Sequence, residues 1–188
     1  MKITVCGIAE LGLHCEAGVT HVLSILDPFW PDPEAFTDFP PHRREALRFH
    51  DVLEPTQGAV PTAAHVARLL AFGDDVMVAG AAAHLLIHCH AGISRSTAAM
   101  AMILAQAFPR ESEDAIIEKL EAIRPQAWPN SRMIGFADAL LGRDGRLTAA
   151  VIKLYARRLA MRPHLADVMR GLDREREVDF GLMAQASN

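Results

Sequence analysis

An α/β domain with a small central, mainly parallel sheet flanked by helices is the fold class this sequence predicts. Three observations lead there. Short runs at residues 3–6 and 22–26, mostly apolar, and the fully apolar Leu85-Leu86-Ile87 have the length and composition of buried strands. Segments with helical apolar spacing stand between and after them. Strands separated by helices make a parallel sheet, because each crossover returns the chain to the edge where the previous strand began.

The elements follow in order. Between the strands at 3–6 and 22–26, residues 10–17 suit a short helix closed by Gly18. A third strand is expected through Leu47 and Phe49. Pro61 fits the first position of a helix over residues 61–72, with a stripe of Val66, Leu69 and Leu70. Residues 98–107 are apolar on nearly every side, which marks a buried central helix. Glu113 and Asp114 open the next helix, where negative charge suits the dipole. Its stripe is Ile116, Ile117, Leu120 and Ile123, and Pro125 follows its end. Residues 133–141 and 147–159 give two more amphipathic helices, split by the turn Arg143-Asp144-Gly145-Arg146. Another helix is expected beyond Pro163. Residues 173–179 are mostly charged and carry no assignable element. One domain over residues 1–188 accommodates all of this.

Composition narrows the function classes. With 51% hydrophobic residues a sizeable core can form. A net charge of −4 supplies no general attraction to nucleic acid or an anionic membrane, so any anion site has to be a local feature. The three cysteines, Cys6, Cys15 and Cys89, are odd in number and lack a repeated spacing. That argues against a disulfide framework or a zinc site and for a reducing compartment. The N-terminal apolar run is too short for a signal peptide, and no apolar stretch reaches ~18 residues without a charge. A soluble, cytoplasmic protein is expected.

The run His88-Cys89-His90-Ala91-Gly92-Ile93-Ser94-Arg95-Ser96 is the most informative segment. It places a cysteine at the end of an apolar strand and an arginine six residues later, at the mouth of an apolar helix. No proline interrupts residues 90–94, so every peptide N–H there is available to an anion. Loop amides and a helix N-terminus together make an anion cradle. Arg95 adds a planar fork matched to two phosphate oxygens. Helix N-termini and neighbouring cations also favour the thiolate form of a cysteine. Gly92 permits a tight turn and close backbone approach. Ser96 can hydrogen-bond the sulfur or simply satisfy backbone at the helix start.

This run resembles the signature of the cysteine-based protein phosphatases, His-Cys-x-x-Gly-x-x-Arg followed by Ser or Thr, and above all its dual-specificity branch. His88, Cys89, Gly92, Arg95 and Ser96 match, as do Ala91 and Ser94, which are frequent in that branch. Arg124-Pro125 followed by Pro129-Asn130 is similar to the family's segment before its last core helix. The resemblance covers about residues 3–141, and the helical extension at 142–188 carries no family signal. It implies a protein-tyrosine-phosphatase-like fold of the dual-specificity type, in which His90, Ala91, Gly92, Ile93, Ser94 and Arg95 bind the phosphate. It further implies Cys89 as nucleophile, Ser96 as an aid to breakdown of the thiophosphate, and no metal or organic cofactor. His88 would tune the loop indirectly.

Loss of an alkoxide or phenolate calls for a proton donor, and the same group can later activate water. Two carboxylates compete. Trp30-Pro31-Asp32 spells the general-acid loop of the tyrosine-specific phosphatases, but Asp32 lies 57 residues before Cys89 and follows the second strand, two strands too early. Asp51 lies 38 residues before Cys89, after the third strand. Parallel strands end on one common edge, so Asp51 would face Cys89 across a pocket there. The dual-specificity family carries its acid at this place. Asp51 as a turn or cap residue is the alternative, and Glu54 is a weaker substitute.

The remaining features are less specific. Residues 28–44 hold five prolines and four aromatics, which suits a self-packed surface loop or a wall beside the site. Cys6 is a small buried hydrophobe or a redox partner of Cys89. His50, His65 and His90 lack ligand spacing. Arg43, Arg44, Arg124 and Arg132 are expected as solvated surface charges, with enrichment of positive potential near the pocket as the alternative. The expected partner is a phosphorylated substrate, most simply a protein, because residues 90–94 contain none of the lysines that lipid-directed relatives often carry there. An inositol phosphate, an RNA 5′-phosphate, a phospho-binding module without turnover and a sulfur transferase are the alternatives.

Overall fold

The computed structural model describes residues 1–54 and 58–186. Four strands, β1 (Lys2–Gly7), β2 (His21–Leu26), β3 (Arg43–Arg48) and β4 (His84–Cys89), form one all-parallel sheet in the order β1-β4-β2-β3. Register places Gly7 beside Cys89 and Ser24 beside His88. Phe49, expected in the third strand, lies just beyond its end, because pairing with β2 stops at Arg48.

Both central strands, β2 and β4, are buried along their whole length. Their side chains alternate between two cores, as the two-residue period of a strand requires. Val5, Leu23, Ile25, Leu85 and Ile87 point into the larger core, shared with the helices. Cys6, Val22 and Leu86 point to the other face, which is covered by the 3-10 segments Ile8–His14 and Glu34–Asp38 with Phe36 and Phe39. The helix expected over residues 10–17 is thus a 3-10 turn, and residues 28–44 are partly self-packed.

On the larger face lie α1 (Ala63–Ala79), α2 (Arg95–Ala107), α3 (Glu113–Ile123), α4 (Ser131–Leu140), α5 (Arg146–Met161), α6 (Leu165–Arg170) and α7 (Glu175–Ala186). Pro61 does not begin α1. Thr62 is its N-cap, its hydroxyl accepting from the His65 amide at 3.3 Å, and the helix runs on to Ala79. Every residue of α2 from Arg95 to Ala105 is buried, and its many alanines let sheet and helices approach it. Ser112 and Asn130 cap α3 and α4 through side-chain oxygens. Ile123, expected in the α3 stripe, is 39% exposed, since it is the final residue of the helix.

The charged stretch at 173–179 is not featureless. Asp173 adopts a left-handed φ of +58°, reversing the chain into α7 and sending Arg174 and Glu177 inward. Leu159, Tyr155 and Val178 from α5 and α7 join the same core as Val5 and Ile87. No helix among the described residues is long and apolar enough to cross a membrane.

Candidate active site

The C-terminal ends of the four strands converge on one edge, and the loop from β4 to α2 closes over it. Its carbonyls are engaged from outside. His90 O accepts from the Ile8 amide at 2.9 Å and Ile93 O from the Trp128 amide at 2.9 Å. Ala91 O and Gly92 O accept from the Arg124 guanidinium at 3.1 and 2.9 Å. With these carbonyls engaged elsewhere, the Gly92 amide donates to Cys89 Sγ at 3.3 Å. Ser96 Oγ lies 3.1 Å from the same sulfur.

Two glycines permit this closure. Gly92 has φ +70°, and a Cβ there would stand 2.4 Å from the Cys6 carbonyl carbon and 2.6 Å from the Gly7 nitrogen. A Cβ on Gly7 would stand 2.8 Å from His90 O. Glu10 accepts from the Gly7 amide at 2.6 Å and pairs with Arg124 through both carboxylate oxygens. Arg124, expected as a solvated charge, is a buried brace for the loop. Arg132 is likewise engaged, donating to Leu53 O and Pro61 O.

Arg95 is only 3% exposed and is fixed from behind. Its Nη1 donates to Asp27 Oδ1 and to Phe49 O, each at 2.6 Å. Its Nε has no hydrogen-bond partner among the described residues. Nη1 is therefore anchored, while Nε, 3.9 Å from Asp51 Oδ2, keeps an N–H for an oxyanion. Asp27 also receives His90, whose Nε2 accepts from the Asp27 amide at 3.2 Å. Burial and then the Arg95 charge lower the His90 pKa, so its ring is a neutral acceptor.

Asp51 sits across a cavity of about 420 Å3 that it lines with Cys89, Arg95, Ile93, Trp128 and Arg174. Ser94 Oγ and Asn130 Nδ2 each donate to Asp51 Oδ1 at 2.9 Å, and Arg174 pairs with the same oxygen. Burial works to raise the Asp51 pKa. The Arg174 and Arg95 charges, with hydrogen bonds from Arg174 and Asn130, outweigh it and hold the carboxyl below its usual range. Leu165, Met169 and Leu172 from the C-terminal segment line the same cavity, with Arg158 and Arg162.

No protein-family model and no curated protein matches this sequence. Solved structures do. Human DUSP28 aligns at 20% identity over 75% of this chain and 94% of its own, with a TM-score of 0.55. DUSP15 aligns at 20% over 79% of this chain and 89% of its own, TM-score 0.56. PTPMT1, solved in complex with PI(5)P, aligns at 15% over 76% and 91%, TM-score 0.53. The fold is that of the dual-specificity phosphatases.

Within that dual-specificity fold the other candidates find different places. Asp32 is engaged by Arg44 and Arg48 and does not line the cavity. Glu54 is exposed and paired with Arg176. Trp30 stands against His90 with ring centroids 4.4 Å apart, so one end of the proline-rich loop touches the cysteine loop. Arg44, expected as solvated, lies over the Phe36 ring and donates to Ser24 Oγ at 2.9 Å. Cys6 is a buried free thiol whose pKa burial pushes up to about 12. Among the described residues no group of three or more His, Cys, Asp or Glu side chains is arranged to hold a metal ion.

Asp27, Arg124, Asn130 and Arg174 are the site residues that sequence reasoning missed as such. Asn130 carried a signal, standing in the Pro129-Asn130 pair. Asp27 carried a fainter one, as a carboxylate at the end of an apolar strand. For Arg174 the sequence holds none.

Proposed function

We propose that this chain hydrolyses phosphate monoesters through a cysteinyl-phosphate intermediate, with phosphotyrosyl proteins as the preferred substrate class. One observation carries the reading. Arg95 is buried with Nη1 anchored on Asp27 and Phe49 O and Nε without a hydrogen-bond partner among the described residues, and it lines one cavity with a sulfur that accepts from the Gly92 amide. A tetrahedral dianion satisfies that arrangement.

The chemistry follows from the parts. Cys89 Sγ attacks phosphorus in line while the amides and Arg95 hold the equatorial oxygens. The P–O bond to the leaving group breaks, and that oxygen takes a proton from the Asp51 carboxyl. A water then gives its proton to Asp51 and attacks phosphorus. The P–S bond breaks, and Ser96 Oγ donates to the departing sulfur. A dianion arriving at the loop offsets the guanidinium charges that hold the Asp51 pKa down, so substrate binding itself favours the protonated acid.

Trp128, Leu165, Met169 and Leu172 favour an aromatic ring above the phosphate over a short seryl side chain. Cys89→Ser is expected to lower turnover of an aryl phosphate by at least about a thousandfold while preserving vanadate binding. Turnover near that of the wild type would overturn the mechanism. Vanadate binding by a wild-type protein that turns nothing over would make the chain a phospho-binding module. A substrate panel of phosphotyrosyl peptide, phosphoseryl peptide and a soluble phosphoinositide tests the substrate class. A preference for the phosphoinositide would overturn the protein assignment.

A further inference from the structure

We propose that Arg174, from the C-terminal extension, is a positioning residue of the active site. It grips one oxygen of Asp51, so that the other oxygen carries the transferred proton toward the cysteine loop. The inference rests on the phosphatase reading and extends it to a segment that the family signature does not reach.

The grip is many-sided. Arg174 Nη2 pairs with Asp51 Oδ1, donates to the Asp51 backbone carbonyl at 3.0 Å and donates to Ser94 Oγ at 3.1 Å. Ser94 Oγ and Asn130 Nδ2 donate to the same Oδ1. Two side-chain donors and the Arg174 charge thus converge on one oxygen. Oδ2 accepts no hydrogen bond among the described residues and stands 3.9 Å from Arg95 Nε, on the side of the phosphate loop. A proton on Oδ1 would have to displace two donors and face the Arg174 cation. A proton on Oδ2 displaces none and faces the reacting group.

Arg174 is itself immobilised. It is buried, and its Nη1 lies 3.6 Å from the fully buried Glu177. Glu177 accepts from Trp128 Nε1 at 2.6 Å and from the Ser131 amide at the start of α4 at 2.7 Å. A negative charge at a helix N-terminus is well placed. Burial opposes the Arg174 charge, but Asp51 and Glu177 outweigh it and raise its pKa, so the guanidinium is a permanent cation.

The groups facing Asp51 set its pH response. Arg95, Cys89 and His90 face it from the cysteine loop and α2, with Asp27 behind Arg95. Arg174 faces it from the C-terminal segment, with Glu177 and Tyr155 behind. Only Arg95 and Arg174 are permanent cations in this set, and Arg95 is needed for the substrate. Activity in the first step falls as pH rises through the pKa of the acid. Removing the Arg174 charge raises that pKa, so the falling limb moves to higher pH.

The test compares Arg174→Met and Arg174→Lys with wild type, using two aryl phosphates of poor and good leaving ability. Because Arg174→Met leaves Glu177 unpaired, the double variant Arg174→Met with Glu177→Gln is measured beside it. In both Met variants the basic limb of kcat/KM is expected to move up by about one pH unit or more. Turnover of the poor leaving group should fall ~10²-fold, within the range of general-acid contributions, while the good leaving group changes several-fold at most. Arg174→Lys should hold the limb near its wild-type position. Superimposable pH profiles, or equal losses on both substrates, would overturn the proposal. Carboxyl 13C titration of Asp51, assigned with Asp51→Asn, needs no turnover: the resonance should titrate at higher pH without Arg174. If wild type fails to hydrolyse either ester, the phosphatase reading falls, and this titration still decides whether Arg174 governs Asp51.

Discussion

His88 and Gly92 show how single residues of the signature earn their places. The His88 ring is fully buried, with Nε2 2.6 Å from Ser24 Oγ, and that hydroxyl also accepts from Arg44. Either atom of the His88–Ser24 pair can donate, since a hydroxyl oxygen accepts twice. Burial, and next the Arg44 charge, push the His88 pKa down to about 3. The folded value lies below the unfolded one, so this contribution is complete above about pH 6.5 and fades as pH falls toward 3. Urea unfolding should show His88 removing ~2 kcal/mol of stability between pH 6.5 and 5, and His88→Gln should lack that component. Equal pH slopes in the two proteins would show that the ring already ionises in the fold. Gly92→Ala has a steric outcome: its Cβ would meet backbone atoms of Cys6 and Gly7, which cannot rotate aside. Loss of vanadate binding and a lower Tm are expected, and an unperturbed variant would mean the loop lies further from β1.

At the scale of elements, the strand–loop–helix unit is braced by pieces brought from elsewhere. Arg124, at the end of α3, ties the Ala91 and Gly92 carbonyls to Glu10 in the first 3-10 segment. Burial works against a low Glu10 pKa, but the hydrogen bond from Arg124, the largest influence, holds it below the usual range. Without this brace the two peptide planes can flip and withdraw their amides from the site. Arg124→Met should weaken inhibition by vanadate about tenfold, equivalent to ~1.4 kcal/mol, and Arg124→Lys should not restore it, because a point donor cannot span both carbonyls and a carboxylate. Unchanged inhibition would assign the loop shape to Gly7 and Gly92 alone. The apolar run of β4 and the amphipathic spacing of α3 and α4 were legible in sequence because each repeats within a few residues. Thr62 as the α1 cap was missed because Pro61 is an equally plausible start when no partner is visible. Asp173 was missed as a turn because its left-handed φ is imposed by the packing of α6 and α7.

At the scale of the whole molecule, the C-terminal extension lies inside the larger of the two cores. Leu147, Val151, Leu154, Tyr155, Leu159 and Val178 are buried with the sheet helices, the Tyr155 ring stacks on Trp128 at 4.6 Å, and its hydroxyl donates to Pro129 O. Burying such side chains is worth about 1.5–3 kcal/mol each. Six of them match the whole stability of an ordinary domain, about 5–15 kcal/mol. A chain ending at Gly142 is therefore expected to lose near-UV circular dichroism and vanadate binding together, and the full chain to melt in one transition. A truncated chain that still binds vanadate would show the extension to be an appendage.

Residue order alone carried the cysteine–arginine loop, the parallel sheet and Asp51 as a partner across one sheet edge. Those features depend on neighbours a few positions apart, or on the rule that parallel strands end together. It could not carry Asp27 behind Arg95, Arg124 behind the loop, or Arg174 beside Asp51 at a separation of 123 residues. A charged side chain shows no pattern of its own before folding. Whether it is a solvated charge or a buried brace is decided by which distant groups the core brings within 3 Å, and by the cost of leaving it unpaired there.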